Sequence, residues 1–205
     1  MPSSRLVAVD PSLTCSGWAL FNLSSGAVLA VGKMRSKPPS VALALRLEDL
    51  QGRINGLFEQ LKLGADDFLI CESPTTMRDP RAALKVEQVR GIFEALARNR
   101  QMQVPGRINP RSVQYEVMGL RGRQLSRGVV KETAVRVVQA SFGSDLSRLQ
   151  FDPSPSNLRR HQDIVDALLL GALGLARLQA SIAAAIPHEV AFLERPTRPG
   201  RRLSR

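Results

Sequence analysis

Apolar runs with β-forming residues predict five strands along the chain. The first three runs follow one another closely, and a Ser-Ser-Gly turn separates the second from the third. The fourth run, Phe68 to Cys71, is closed by Glu72 and then Pro74, a pattern typical of a buried central strand. The predicted strands are 5–9, 18–23, 28–34, 68–71 and a short one over 102–108 around a proline.

Apolar residues three and four positions apart predict the helices between these strands. They cover 40–62, 80–100, 131–142 and 161–185, with a shorter helix that begins at Asn109-Pro110 and fades at Gly119. The Gly- and Arg-rich stretch 119–128 is expected to be a mobile loop, and 143–157 a polar connection. The order of elements predicts an α/β layered fold with one mixed sheet, whose first three strands form an antiparallel meander.

The length and the last residues predict one domain with a tail. A chain of 205 residues suits a single domain, which we place at 1–185. The Arg- and Pro-rich segment 186–205 is expected to be disordered. The longest mostly apolar stretch, Ile164 to Ala176, falls short of the ~20 residues of a bilayer span. We therefore expect a buried helix and no membrane partner.

Charge narrows the possible partners. The chain has 29 Lys and Arg against 18 Asp and Glu, a net charge of +11, and most of the cations are arginine. A guanidinium group pairs with phosphate at two points, so nucleic acid is the expected partner, and a solvated basic surface is the alternative. Two cysteines without a C-x-x-C pair exclude a zinc cage and predict a reduced, intracellular protein.

Four carboxylates stand at positions where a structural protein has little use for them. Asp10 closes the first predicted strand, Glu72 closes the fourth, and Asp163 and Asp166 lie near the start of the last helix. Strand ends gather at one edge of a sheet, and helical residues three apart project from the same face. Like charges beside buried leucines cost stability unless a cation compensates. Oxygen ligands without a His/Cys cluster favour Mg²⁺, or Mn²⁺ in its place.

Each carboxylate also has a structural interpretation. Asp10 could cap a turn, Glu72 could pair with an arginine, and Asp163 could interact with the helix dipole. Asp166 lies one turn further, between apolar residues, and fits none of these roles. Taken together with the basic excess, the four carboxylates favour a metal site.

Six segments in this order and at this spacing resemble the RuvC family of Holliday-junction resolvases. They are VAVDPSLTCSGWAL, FLICESP, AALKVEQVRGIFEAL, NPRSVQYEVMG, KETAVRVV and HQDIVDALLLG. The resemblance covers about residues 5 to 178. It departs from the family where many relatives carry an aromatic wedge shortly after the strand-end glutamate, since Met77 is the apolar residue that stands in that stretch here.

The resemblance implies an RNase H-like fold with a five-stranded mixed sheet flanked by helices. It also implies a homodimer that cuts four-way DNA junctions with symmetric nicks. Asp10, Glu72, Asp163 and Asp166 match the family's catalytic metal ligands. Such a set fits two-metal hydrolysis, in which two cations activate a water and stabilise the leaving oxygen.

Basic residues near these motifs are the expected DNA contacts, with a solvated turn as the alternative. Lys131 matches a basic position near the active site of relatives. His161 could donate a proton or position water near Asp163, or it could bond locally at the helix start. The candidates for DNA binding are Arg121, Arg123, Arg127 and Lys131, followed by Arg78 and Arg81.

Two other functions stay open at this point. One is a related RNase H-fold nuclease that acts on forks, flaps or RNA–DNA hybrids. The other is a non-catalytic protein that binds junctions. The expected location is the cytoplasm of a bacterium or a phage-infected cell, in association with the nucleoid, in preference to an organelle.

Overall fold

The computed structural model describes residues 4–74, 79–121 and 125–193. Its centre is one five-stranded sheet with the strand order β3-β2-β1-β4-β5. β1 pairs antiparallel with β2, β2 antiparallel with β3, and β4 parallel with both β1 and β5. This confirms the predicted mixed sheet with its antiparallel meander. The strands are β1 Arg5–Asp10, β2 Cys15–Asn22, β3 Val28–Arg35, β4 Phe68–Glu72 and β5 Arg107–Ile108.

Helices cover both faces of the sheet. The long helices are α1 Leu43–Gln60, α2 Pro80–Asn99, α4 Arg127–Arg148 and α6 Gln162–Ala183. The short ones are α3 Pro110–Ser112, which runs into a π-helical segment Val113–Val117, then α5 Pro155–Arg160 and α7 His188–Phe192. α1 and α2 pack on one face, whereas α4 and α6 pack on the other.

Strand alternation divides the interior into two apolar layers. In β1, Leu6 and Ala8 pack with α6, and Val7 and Val9 pack with α1 and α2. By its length and composition, α6 could cross a membrane, but most of its apolar part is buried inside the protein. It is therefore a buried core helix in the apolar layer that it shares with α4, as the sequence predicted.

The stretch predicted as a loop before α4 is partly helical. Ser126 caps the helix by accepting a hydrogen bond from the Val129 amide at 3.4 Å, so α4 begins at Arg127. The same helix runs on to Arg148, because Phe142 and Leu146 are buried and extend its apolar side. The predictions of a loop up to residue 128 and of a polar connection from residue 143 were wrong in these parts.

The fifth strand is shorter than predicted. It is reduced to Arg107–Ile108, preceded by a single bridge between Phe68 and Gln103. Pro105 lies between these two contacts, and proline has no amide hydrogen to donate to a ladder.

The folded part of the chain extends past the predicted domain end at residue 185. α7 falls in the segment expected to be disordered, and Phe192 is buried against the core. His188 Nδ1 lies 2.7 Å from Ser181 Oγ, and the histidine ring packs edge-on against Phe68. Residues 186–193 of the predicted tail are therefore packed on the domain, while residues 194–205 lie outside the described residues.

Candidate active site

One end of the sheet gathers the two strand-borne carboxylates. β1 ends at Asp10 and the parallel β4 ends at Glu72, one strand away. Leu6 and Ala8 of β1, and Phe68 and Ile70 of β4, face the α6 layer. Because side chains alternate along a strand, Asp10 and Glu72 face the same layer.

α6 brings the other two carboxylates to the same end of the sheet. Its first turn lies directly over Gly17 of β2, the residue paired with Asp10. A Cβ atom at Gly17 would stand 1.8 Å from the Asp163 carbonyl oxygen. Glycine is thus required for this close approach. It brings Asp163 to the strand next to β1, and Asp166 follows one helical turn later.

Burial and mutual repulsion raise the pKa values of three of the carboxyl groups. Burial raises the pKa of Asp10 well above its usual value, and the charges of Glu72, Asp166 and Asp163 raise it further. Burial, followed by repulsion from Asp166, raises the pKa of Glu72 to about 7. The four groups therefore interact as one site, which holds more negative charge than its surroundings compensate.

The pKa of Asp166 is also raised, but neighbouring polar and basic groups offset part of the rise. Burial raises its pKa to about 6, and the charge of Asp163 adds to the rise. A hydrogen bond from Gln162 Nε2 at 3.0 Å and the charges of Lys131 and Arg127 act in the opposite direction. The polar groups around Asp166 thus stabilise its ionised form without cancelling the cost of burial.

The donor set fits a hard divalent cation. Its four carboxylates come from three elements, and a bound cation would relieve their repulsion. Among the described residues, no three His, Cys, Asp or Glu side chains are gathered closely enough to hold an ion as they stand. Metal binding at this end of the sheet therefore requires the side chains of the four carboxylates to rotate toward one another.

Arg90 is a buried cation at the site that the motifs did not identify. It is 2% exposed, donates from Nε to the Glu72 carbonyl oxygen at 2.6 Å, and forms an ion pair with Glu87. Its positive charge lowers the pKa of both Asp10 and Glu72. The sequence is compatible with an arginine partner for Glu72 but does not identify which arginine it is. The available signal was the place of Arg90 in the apolar stripe of α2, three residues before Phe93.

A cleft of about 220 Å³ opens beside Glu72 and Asp166. Arg127 and Lys131, four residues apart on α4, line it together with Gln114. Two predicted DNA contacts thus lie next to the carboxylates.

The other basic residues predicted to contact DNA are not among the described residues that line this cleft. Arg121 is exposed and its guanidinium lies 5.3 Å from the centre of the Tyr115 ring. Arg81 is exposed in the first turn of α2, where its amide donates to the capping Asp79. Arg78 and Arg123 lie outside the described residues, and so does Met77.

His161 stands at the boundary between α5 and α6. Its ring packs edge-on against Phe151, and its Nδ1 is buried without a hydrogen-bond partner among the described residues. Burial and the charge of Lys33 lower its pKa, while Asp163 acts in the opposite direction. A neutral ring at neutral pH fits the positioning of water better than proton donation.

No family model matches the chain, and no curated protein matches it in sequence. The fold is nevertheless similar to solved structures of RuvC. Thermus thermophilus RuvC in complex with a Holliday junction substrate superimposes with a TM-score of 0.62 at 16% identity, over 88% of this chain and 96% of that one. A second Thermus thermophilus RuvC structure gives 0.61 at 17% identity, with the same coverage of both chains. These comparisons show that the chain has the RNase H-like fold of RuvC, as the ordered motifs predicted.

Proposed function

We propose that this protein is a divalent-metal-dependent endonuclease that resolves four-way DNA junctions. The observation that carries the proposal is that a RuvC-like fold places Asp10, Glu72, Asp163 and Asp166 at the same end of the sheet. The raised pKa values of Asp10, Glu72 and Asp166 mark a site whose charge is uncompensated without a cation. The net charge of +11 supports a DNA substrate.

The four carboxylates would hold the metal. Bound Mg²⁺ or Mn²⁺ ions would activate a water and neutralise the charge that develops on the leaving oxygen. Asp10 has the central place, because the other three carboxylates all act on its pKa. Gln162 orients Asp166 through its hydrogen bond at 3.0 Å. Arg90 fixes the end of β4, and with it Glu72, through its hydrogen bond to the Glu72 carbonyl oxygen.

The cleft residues would bind the DNA strand. Arg127 and Lys131 place two positive charges beside the acidic site, where a phosphate that approaches it would meet both. Arg121, exposed at the end of the preceding segment, would extend this contact. Arg81 would add a contact from the start of α2.

Symmetric cleavage of a junction needs two active sites, so we propose that the protein acts as a homodimer. Two like sites related by a twofold axis match the symmetry of a four-way junction. The RuvC structure that this fold resembles is in complex with a Holliday junction. We place the activity in the cytoplasm of a bacterium or phage-infected cell, at the nucleoid.

The test is cleavage of a labelled synthetic four-way junction, with linear duplex, a fork, a flap and an RNA–DNA hybrid as other substrates. Each is incubated with Mg²⁺, Mn²⁺ or EDTA, using the wild type and Asp10→Asn. We expect paired symmetric nicks in the junction that require metal and Asp10. Loss of Asp10 should lower the rate by more than the roughly 10- to 100-fold that loss of a ligand-supporting residue costs, with junction binding retained.

The substrate panel separates the proposal from its alternatives. Preferential cutting of another substrate would indicate a related nuclease with the same metal site. Tight junction binding without cutting in either metal would indicate a non-catalytic binding protein. Asp49→Asn, on α1 and therefore on the face of the sheet opposite to the α6 layer, is the matched control and should cut like the wild type.

A further inference from the structure

The β3 edge of the sheet carries a second group of basic residues. Pairing with β2 places Lys33 opposite Gly17 and Arg35 opposite Cys15, at the end of the sheet where Asp10 lies. Val31, on the same face of β3, packs in the α6 layer, so alternation turns Lys33 and Arg35 toward that layer too.

The end of α5 adds a third cation to this edge. Arg160 is the last residue of α5, and its carbonyl oxygen accepts a hydrogen bond from Lys33 Nζ at 3.4 Å. Lys33 Nζ also lies 3.7 Å from Asp163 Oδ2. We call Lys33, Arg35 and Arg160 the β3 basic surface. It adjoins the acidic site directly.

The charges of the β3 basic surface are largely without counter-ions. Arg35 and Arg160 are both exposed, and neither forms an ion pair with another described residue. The neighbouring Arg159, by contrast, is engaged by Glu132 at 2.8 Å. Uncompensated cations gathered at one place repel one another and attract an anionic ligand.

The acidic site lies between two basic regions. β3 and β1 are separated by β2, so the β3 basic surface stands about 10 Å from Asp10 at the usual strand spacing. Arg127 and Lys131 lie on the other side, at the cleft beside Glu72. A DNA strand that crosses the carboxylates would therefore meet positive charge before and after them.

We propose that the β3 basic surface binds the phosphates of the DNA strand on the β3 side of the acidic site. This inference rests on the proposed nuclease function and adds to it a contact surface that the sequence motifs did not indicate. Guanidinium groups pair with phosphate at two points, so Arg35 and Arg160 would make the main contacts. Because the contacts are to the backbone, they position the strand and do not read its sequence.

The test is the salt dependence of junction binding by the full chain. Dissociation constants for a four-way junction are measured in EDTA over a series of salt concentrations. The variant is Arg35→Gln/Arg160→Gln, which keeps Lys33 because that residue contacts Asp163. Two lost phosphate contacts should reduce the slope of log K against log salt by about 2.

The matched control is Arg53→Gln/Arg98→Gln, which removes the same charge from α1 and α2 across the sheet. It should leave the slope unchanged. Equal unfolding midpoints verify that each variant is folded, and the two single variants should each reduce the slope by about 1. An unchanged slope in the double variant, or an equal fall in the control, overturns the inference.

Failure of the two proposals is distinguishable. If the wild type neither binds nor cuts the junction, the proposed function fails and the β3 basic surface loses its basis with it. If the wild type binds and cuts while the double variant keeps the wild-type slope, the inference alone is overturned.

Discussion

Gly17 determines how closely the first turn of α6 can approach the sheet. Its missing side chain leaves room for the Asp163 backbone, which a Cβ atom would meet at 1.8 Å. Backbone cannot move aside as the end of a flexible side chain can. The contact therefore controls the position of Asp163 relative to Asp10, the partner of Gly17 in the β1–β2 ladder.

We expect Gly17→Ala to push α6 away from β2 and to lower both stability and cleavage. Overpacking of this kind costs about 1–3 kcal/mol. Gly56→Ala in α1 is the control, because nothing lies within 4 Å of the added methyl group there and alanine favours a helix by about 0.5–1 kcal/mol. Urea unfolding and junction cleavage are measured for both variants. A Gly17→Ala protein as stable and active as the wild type would contradict the assigned contact.

The sequence predicts some residues of the site and misses others for a physical reason. Asp10 and Glu72 stand at strand ends, and Asp163 and Asp166 share a helical spacing, so local pattern is sufficient to find them. Gly17 matters only because a helix from far along the chain crosses it. Such a tertiary contact leaves no periodic signal.

At the scale of elements, Arg90 joins α2 to the end of β4. Its Nε donates to the Glu72 carbonyl oxygen at 2.6 Å while its guanidinium pairs with Glu87. The hydrogen bond holds the strand end in place, and the charge favours ionised Asp10 and Glu72. Arg90 thus acts as a positioning residue for the carboxylates.

We expect Arg90→Met to destabilise the protein by about 2–3 kcal/mol, because a buried hydrogen bond to a charged group is lost. The pKa of Glu72 should rise further, which would move the pH of half-maximal metal binding upward. Arg90→Lys should restore part of this shift, since it restores the charge. Arg98→Met, at an exposed position on the same helix, is the control. A loss of stability without any change in the pH profile would assign Arg90 a structural role alone.

The predicted elements differ from the observed ones mainly at their ends. The long apolar stripes predict α1, α2 and α6 to within a few residues, because burial of a continuous face dominates their stability. α4 begins earlier than predicted because Ser126 caps it, which places Arg127 and Lys131 on one helix face. A serine within a Gly- and Arg-rich stretch is equally compatible with a loop. The sequence pattern alone could not decide between the two.

At the scale of the whole molecule, the order of elements predicts the fold class more reliably than the domain end. The alternation of strands and helices after a meander leaves few ways to build one sheet. α7, in contrast, is only five residues long and is held by Phe192, His188 and their partners in α6 and β4. So short a helix depends on tertiary packing, which composition does not report.

The acidic site should make the metal-free protein less stable as pH rises. The pKa of Glu72 is about 7 in the folded protein against 4.5 unfolded, so the folded state binds more protons between these values. Stability therefore falls as pH rises through this window, by about 3 kcal/mol for this group. Other carboxyl groups, such as Asp145, have lowered pKa values and contribute in the opposite direction. The difference between the wild type and a variant isolates the effect of Glu72.

We expect Glu72→Gln to be more stable than the wild type at pH 7.5 in EDTA. The difference should shrink toward pH 4.5, where Glu72 is protonated in the folded state and half protonated in the unfolded state. Added Mg²⁺ should raise the Tm of the wild type, because a ligand that binds only the folded state stabilises it. It should have much less effect on Glu72→Gln. Thermal unfolding is followed from pH 4.5 to 8 with Glu48→Gln, an exposed position on α1, as the control. A stability difference independent of pH would contradict the raised pKa of Glu72, and a Mg²⁺ effect equal in both proteins would show that Glu72 does not hold the metal.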